Sequence, residues 1–251
     1  MNRKYRRKEF LIMKKIVFIL CFLMMSIMSF AFFRTSVAPG VFDISLDRPT
    51  TEEIILINNS DSPIKVKIYT GKDGDMTDSE YLGDWVRIYP RNMTLQGREE
   101  RRIKFSVKSP KDTRDGEYRG LIFIEELPEV VEGKNTLTLA GRHGLTVYGT
   151  KGKLTYDVAV SKISMDKKEG KNMLDVTLVN KGEYSVKPEI SVKYLNAKGK
   201  VLAEDKITGG RVRKNTSRDI TGELKNLQGN SMEIVIKAKD TVIYKTNINL
   251  K

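Results

Sequence analysis

The chain has 251 residues, of which 39% are hydrophobic and 31% charged, with one Cys, one His and a formal net charge of +13. One imidazole and one thiol exclude a metal centre built from ordinary His and Cys ligands and leave almost no equipment for acid–base or nucleophilic catalysis. The length exceeds one immunoglobulin-like sandwich of roughly 100 residues and suits two behind a leader.

The N-terminus reads as an export signal. Met13-Lys14-Lys15 precedes a nearly unbroken apolar run from Ile16 to Phe33, and Ser29-Phe30-Ala31 supplies the small residues of a cleavage site. A cleavable signal peptide over residues 1–31 is expected; uncleaved, a run of about 18 residues would be an anchor at the edge of spanning length. The single thiol, Cys21, falls inside this run behind Leu20, so the exported chain carries no disulfide and no thiolate. Seven basic residues and one acid, Glu9, also belong to the leader, so the remainder is less basic than the whole.

Beyond the leader, alternation of apolar and polar residues predicts strands throughout. Ile54 to Ile57 forms a strongly apolar strand that ends at Asn58-Asn59-Ser60-Asp61-Ser62-Pro63, a turn cluster. Ile64, Val66 and Ile68 alternate with Lys65, Lys67 and Tyr69; Trp85 to Ile88 is a short strand closed by Pro90; Ile103, Phe105 and Val107 alternate up to Pro110. Tyr118 to Leu127 is a long strand, and Leu137 to Tyr148 is the last of the first domain. The basic residues sit between apolar ones, as in Lys65-Val66-Lys67 and Arg102-Ile103-Lys104. This spreads the charge over solvated strand faces and does not gather it into a nucleic-acid-binding stripe.

Gly149-Thr150-Lys151-Gly152 reads as a linker, which divides the exported chain into domains over 32–150 and 151–251. The second half restarts the pattern. Val158, Val160 and Ile163 form one strand; Leu174, Val176 and Leu178 form another, ending at Asn180-Lys181-Gly182. Ile190, Val192 and Tyr194 lead to an Asn196-Ala197-Lys198-Gly199 hairpin turn, and Val201, Ile207, Ile220, Ile234 to Ile236, Val242 and Tyr244 continue the alternation. The expected fold class is all-β, two immunoglobulin-like β-sandwiches.

Chemistry-bearing motifs are missing. Asp73, Asp75 and Asp78 lack the frame of a calcium loop and read as solvated loop residues. His143 lies in a strand with no nucleophile elbow in the chain, and phosphate loops and dinucleotide fingerprints are absent. The reading is a binding or structural protein with no cofactor and no metal, not an enzyme.

Four segments in order resemble the first domain of the PapD-type periplasmic chaperones of the chaperone–usher pathway. They are Val41-Phe42-Asp43 with Ile54 to Pro63; Trp85 to Pro90 with Leu95-Gln96-Gly97 and Ile103-Lys104-Phe105; Gly116-Glu117-Tyr118-Arg119 through Glu125-Glu126-Leu127-Pro128; and Arg142 to Tyr148. The resemblance implies a periplasmic chaperone that lends an edge strand to incomplete pilus or fimbrial subunits by β-augmentation, with an outer-membrane usher as a further partner, no nucleic acid, and no membrane association once the signal is cleaved. The lent strand would be Leu137 to Val147, with Leu137 and Leu139 pointing into the subunit groove or, alternatively, into the protein's own core.

The family's two carboxylate-gripping cations fall here at Pro39 or Gly40 and at Leu145. Arg142 is the substitute by proximity, with His143 and Lys104 behind it. Glu117 is either a surface strand residue or part of a structural ion pair near the cleft. A second reading, a structural or adhesive envelope protein built on the same two sandwiches, stands beside the chaperone.

Overall fold

The computed structural model describes residues 34–74, 76–128, 140–153 and 155–250. The leader, Asp75, Leu137 and Leu139 lie outside the described residues.

Nine strands make the first half: β1 (Thr35–Ala38), β2 (Val41–Ser45), β3 (Thr50–Asn58), β4 (Ile64–Gly71), β5 (Val86–Tyr89), β6 (Asn92–Leu95), β7 (Glu100–Val107), β8 (Gly116–Leu127) and β9 (Arg142–Lys151). They form a four-stranded sheet in the order β1-β3-β7-β5 and a five-stranded sheet in the order β2-β9-β8-β4-β6. Period-2 alternation puts one side chain in two between the sheets. Ile54 and Leu56 on β3, Ile103 and Phe105 on β7, Val66 and Ile68 on β4, and Ile122 and Ile124 on β8 are buried together with Leu145 and Val147 on β9. Phe42 meets Phe105 edge to face with ring centroids 4.9 Å apart. Each such aliphatic or aromatic side chain contributes about 1.5–3 kcal/mol by leaving water.

Seven strands make the second half: β10 (Val158–Lys168), β11 (Lys171–Asn180), β12 (Pro188–Leu195), β13 (Val201–Thr208), β14 (Thr216–Glu223), β15 (Ser231–Ala238) and β16 (Thr241–Asn249). Their sheets run β10-β11-β14 and β13-β12-β15-β16 around a separate core that includes Leu174, Val176, Val192, Tyr194, Ile234 and Ile236. Tyr194 is fully buried and donates to Asp205 Oδ2 at 2.7 Å, while Asn226 covers the other carboxylate oxygen at 2.6 Å. Burial and the Asp205 bond both push the Tyr194 hydroxyl far above the ordinary tyrosine range.

The two halves share no legible sequence repeat, yet they solve one problem identically. Asn58, fully buried at the end of β3, donates to the carbonyls of Ser62 (2.9 Å) and Gln96 (2.8 Å) and accepts from the Ser60 N–H (2.9 Å). Asn180, at the end of β11, donates to the carbonyls of Tyr184 (2.8 Å) and Val212 (3.1 Å) and accepts from the Gly182 N–H (3.0 Å). A short amide satisfies buried backbone groups where a strand breaks into a turn.

Three local expectations change. Trp85 lies in a short 3-10 turn (Gly83–Trp85), the strand beginning at Val86; its ring packs on Tyr118 at 4.8 Å. Gly149 to Lys151 belong to β9, because Gly149 lets the Leu46 side chain lie against the backbone; a Cβ there would stand 2.8 Å from Leu46 Cδ1. The odd spacing from Val160 to Ile163 is a β-bulge, with the β10–β11 register shifting between Val160 and Lys162. No helix among the described residues is long and apolar enough to cross a membrane.

Candidate functional site

Two features dominate the first sandwich and its junction with the second: a strand with half an open edge, and a charged cleft between the domains.

The open edge arises where the chain changes sheets. β2 pairs in parallel with β9 from Val41↔Thr146 to Ser45↔Thr150. Before Val41, at Pro39-Gly40, the chain leaves β9, and β1 pairs with β3 in the opposite sheet, from Thr35↔Asn58 to Ala38↔Ile55. β9 continues past the end of β2 as Arg142 to Leu145, paired with β8 alone from Ile122↔Leu145 to Glu125↔Arg142. The hydrogen bonds fix which backbone groups face outward. Thr146 N–H donates to Gly40 O on the β2 side, and Gly141 O accepts from Glu126 N–H on the β8 side. Residues along a strand alternate, so the N–H and C=O groups of Arg142 and Gly144 point to the side that β2 has left. Among the described residues no strand pairs with them there.

A polar chain closes the open end of the sandwich beside this edge. Thr35, 1% exposed on β1, donates its hydroxyl hydrogen to Glu126 Oε1 at 2.8 Å. His143 Nε2 lies 2.9 Å from the same hydroxyl oxygen. With the hydroxyl's one hydrogen given to Glu126, the imidazole Nε2–H donates to Thr35 and completes the chain. Glu126 is itself 5% exposed, so this hydrogen bond satisfies a buried carboxylate.

On the outer face of the same sheet, Phe123 lies between two glycines. A Cβ at Gly71 on β4 would stand 2.6 Å from Phe123 Cε2, and one at Gly144 on β9 would stand 3.4 Å from Phe123 Cε1. The Phe123 ring covers the Gly144 backbone, the arrangement by which sheets shield glycine. The Arg142 guanidinium stacks over that ring at 4.9 Å.

The cleft gathers charges from both domains. Arg211, its side chain 13% exposed, hydrogen-bonds Asp43 on β2, stands 3.8 Å from Glu117 Oε2 on β8 and lies 3.7 Å over the ring of Tyr148 on β9. Lys187 also hydrogen-bonds Asp43. Glu117 accepts from the Ser185 N–H at 3.0 Å and from the Ser185 hydroxyl. Nearby, Lys214 pairs with Glu80 at 2.5 Å and Tyr184 donates to Lys151 O at 3.2 Å. The cavity between these groups holds about 440 Å³ and is lined by Asp43, Glu117, Tyr156, Ser185, Lys187 and Arg211 among others. Burial acts to raise the Asp43 carboxyl pKa, but the Lys187 hydrogen bond and the Arg211 charge outweigh it and hold the carboxyl below its ordinary value. Arg211 is thereby engaged by carboxylates and an aromatic face of its own chain.

The residues expected from sequence fall in different places. Arg142 and His143 lie at the open half of β9, on opposite faces: Arg142 outward over Phe123, His143 inward toward Thr35. Leu145 is 3% exposed and packs in the core of its own domain. Lys104 is on the outer face of β7, in the other sheet, 3.5 Å from Glu53. Glu117 is in the cleft, bonded across to Ser185. Arg142 and the cleft are at opposite ends of β9, since Tyr148 stands six residues on, roughly 20 Å at the rise of a strand.

The sequence reading missed Thr35, Asp43, Lys187 and Arg211. Only Asp43 carried a signal, as a lone charge in the apolar strand Val41-Phe42-Asp43-Ile44. Arg211 is one Arg among several in a loop, and nothing local distinguishes it.

No protein-family model matches the chain, and no curated protein is similar to it in sequence. Several solved structures match the chain at low identity. The Escherichia coli chaperone DraB is 12% identical over 87% of this chain and 98% of its own, with a TM-score of 0.46. The SafB chaperone of Salmonella enterica, solved in complex with the SafA pilin, is 11% identical over 88% of this chain and 99% of the matched chain, with a TM-score of 0.46. The CupB2 chaperone of Pseudomonas aeruginosa is 11% identical over 86% and 100%, with a TM-score of 0.44.

Proposed function

We propose that this protein is an exported, periplasmic chaperone without catalytic activity, which binds incomplete immunoglobulin-like pilus or fimbrial subunits by lending them the edge of β9. The observation that carries the reading is the half-covered β9: β2 stops at Val41↔Thr146, and among the described residues Arg142 to Leu145 keep one strand partner. A client lacking a strand needs backbone partners and an apolar filling. The outward N–H and C=O groups of Arg142 and Gly144 offer the first. Leu137 and Leu139, just upstream, offer the second. Arg142 stacks on Phe123 at the same edge and is the guanidinium within reach of a client's carboxylate. An outer-membrane usher is a further partner on this reading.

The test is affinity purification of the tagged protein from its native periplasm, with mass spectrometry of what co-elutes. A stoichiometric small β-protein is expected. It should be lost in the double variant Leu137→Asp/Leu139→Asp and in Gly144→Pro, which removes the outward N–H of β9 without touching the ladder to β8. Gly144→Ala keeps that N–H and should retain the partner. Absence of a partner, or a partner indifferent to both changes, would overturn the proposal in favour of an envelope structural protein.

A further inference from the structure

Sheet edges are sites of unwanted pairing, and folded proteins blunt them with short strands, bulges, proline or charge. In the first domain β1, β5 and β6 are four residues long and β2 five, and Pro90 follows β5 directly. In the second, β10 carries the bulge at Ser161 and ends in Asp166-Lys167-Lys168, β14 carries Arg218, Asp219 and Glu223, and β13 carries Glu204-Asp205-Lys206. The eighth edge, β16, has a bulge only near its start, at Ile243, where the β15–β16 register shifts, and from Tyr244 onward it has neither bulge nor proline.

β16 is nine residues long, Thr-Val-Ile-Tyr-Lys-Thr-Asn-Ile-Asn, rich in β-branched side chains and free of Gly and Pro. Its one ionisable side chain that could repel a neighbour, Lys245, is paired with Glu233 on β15 at 2.7 Å. Leu250 N–H donates to Asn230 O. By alternation Ile248, Thr246 and Tyr244 also turn their backbone groups toward β15, and Lys245, Asn247 and Asn249 turn theirs outward. Among the described residues no strand pairs with that side.

We propose that β16 is a self-association edge, through which two copies of this chain pair antiparallel and join their second-domain sheets into one. The strand is complementary to itself. Hydrogen-bond parity requires outward-facing residues to meet outward-facing residues. Centring the pair on Lys245 would set two ammonium groups directly opposite, which is unfavourable. Centring it on Thr246 sets Lys245 opposite Asn247 of the second copy. The same register sets Tyr244 opposite Ile248, twice by symmetry. Both are partly buried residues packed against the core of their own domain, and each would gain an aromatic–aliphatic partner. The far edge of the same sheet is the charged β13, so the twofold contact closes at a dimer. The contact lies in the second domain and leaves β9 untouched, so it stands or falls independently of the function proposed above.

Sedimentation equilibrium of the purified chain, from low to high micromolar concentration, is the test. The wild type should be a dimer at the upper end. Asn247→Pro removes an outward N–H from each copy and should weaken the dimer at least about tenfold while leaving far-UV circular dichroism and the thermal midpoint unchanged. Asn247→Glu, facing Lys245 of the other copy, should tighten it, and Asn247→Lys should weaken it. A wild type that stays monomeric throughout, a dimer equally strong in Asn247→Pro, or Glu and Lys at position 247 acting alike would each overturn the proposal.

Discussion

Thr35 and His143 come from strands in different sheets, 108 positions apart, and meet at 2.9 Å across the open end of the first sandwich. The hydroxyl of Thr35 also reaches Glu126 at 2.8 Å, so one small side chain ties β1 to both β8 and β9. Thr35→Val is isosteric and removes both bonds. It leaves a buried carboxylate without this donor and is expected to cost roughly 1–3 kcal/mol in denaturant unfolding. Thr35→Ser keeps the hydroxyl and should recover most of the loss. A valine variant as stable as the wild type would show that solvent or neighbours replace the tie.

The cleft should be sensitive to acid through Asp43. Its carboxyl is held below the ordinary value of 3.8 despite burial, because Lys187 and Arg211 favour the charged form. A group whose folded pKa is depressed contributes stability that is fully present above its unfolded pKa and is lost as pH falls through the folded one. The stability difference between wild type and Asp43→Asn should therefore be constant near neutrality and shrink as the pH drops below 3.8. Urea unfolding at a series of pH values checks this; a gap unchanged in acid would mean the pair is not coupled to folding.

Gly71 and Gly144 flank Phe123 unequally. An added methyl at Gly71 would stand 2.6 Å from the ring, and one at Gly144 3.4 Å. Gly71→Ala should cost on the order of 1–3 kcal/mol through the shift it forces on the ring. Gly144→Ala should be close to neutral. Thermal unfolding of the two variants side by side, with Phe123→Leu as the background that relieves both, checks the assignment.

Much of the fold was legible because alternation maps directly onto burial. Ile54 and Leu56, Val66 and Ile68, and Val192 and Tyr194 occupy the inward positions that the spacing required. The bulge in β10 was not read from the sequence, although the odd step from Val160 to Ile163 is its trace. The sites were less legible. Leu145, put in the lent strand by the resemblance, keeps the same alternation as the core positions of its strand, and the structure buries it. Arg211 matters because a loop of the second domain brings it against Asp43, Glu117 and Tyr148 of the first, a long-range meeting with no local periodicity. Thr35 is one of many threonines, and only the sheet-to-sheet crossing at Pro39-Gly40 gives it His143 and Glu126 as neighbours.

If β9 is lent to a client as proposed, the parallel pairing of β2 with β9 also acts as a ruler. A guest strand that zips along β9 from Arg142 meets Gly40 where that carbonyl already takes the Thr146 N–H. To advance further it has to peel β2 away, and β2 carries Asp43, which two cations of the second domain hold in place. On the proposed function, the second domain would fix the length of main chain that the first can share, and a guest whose strand overran that length would be resisted by both domains at once.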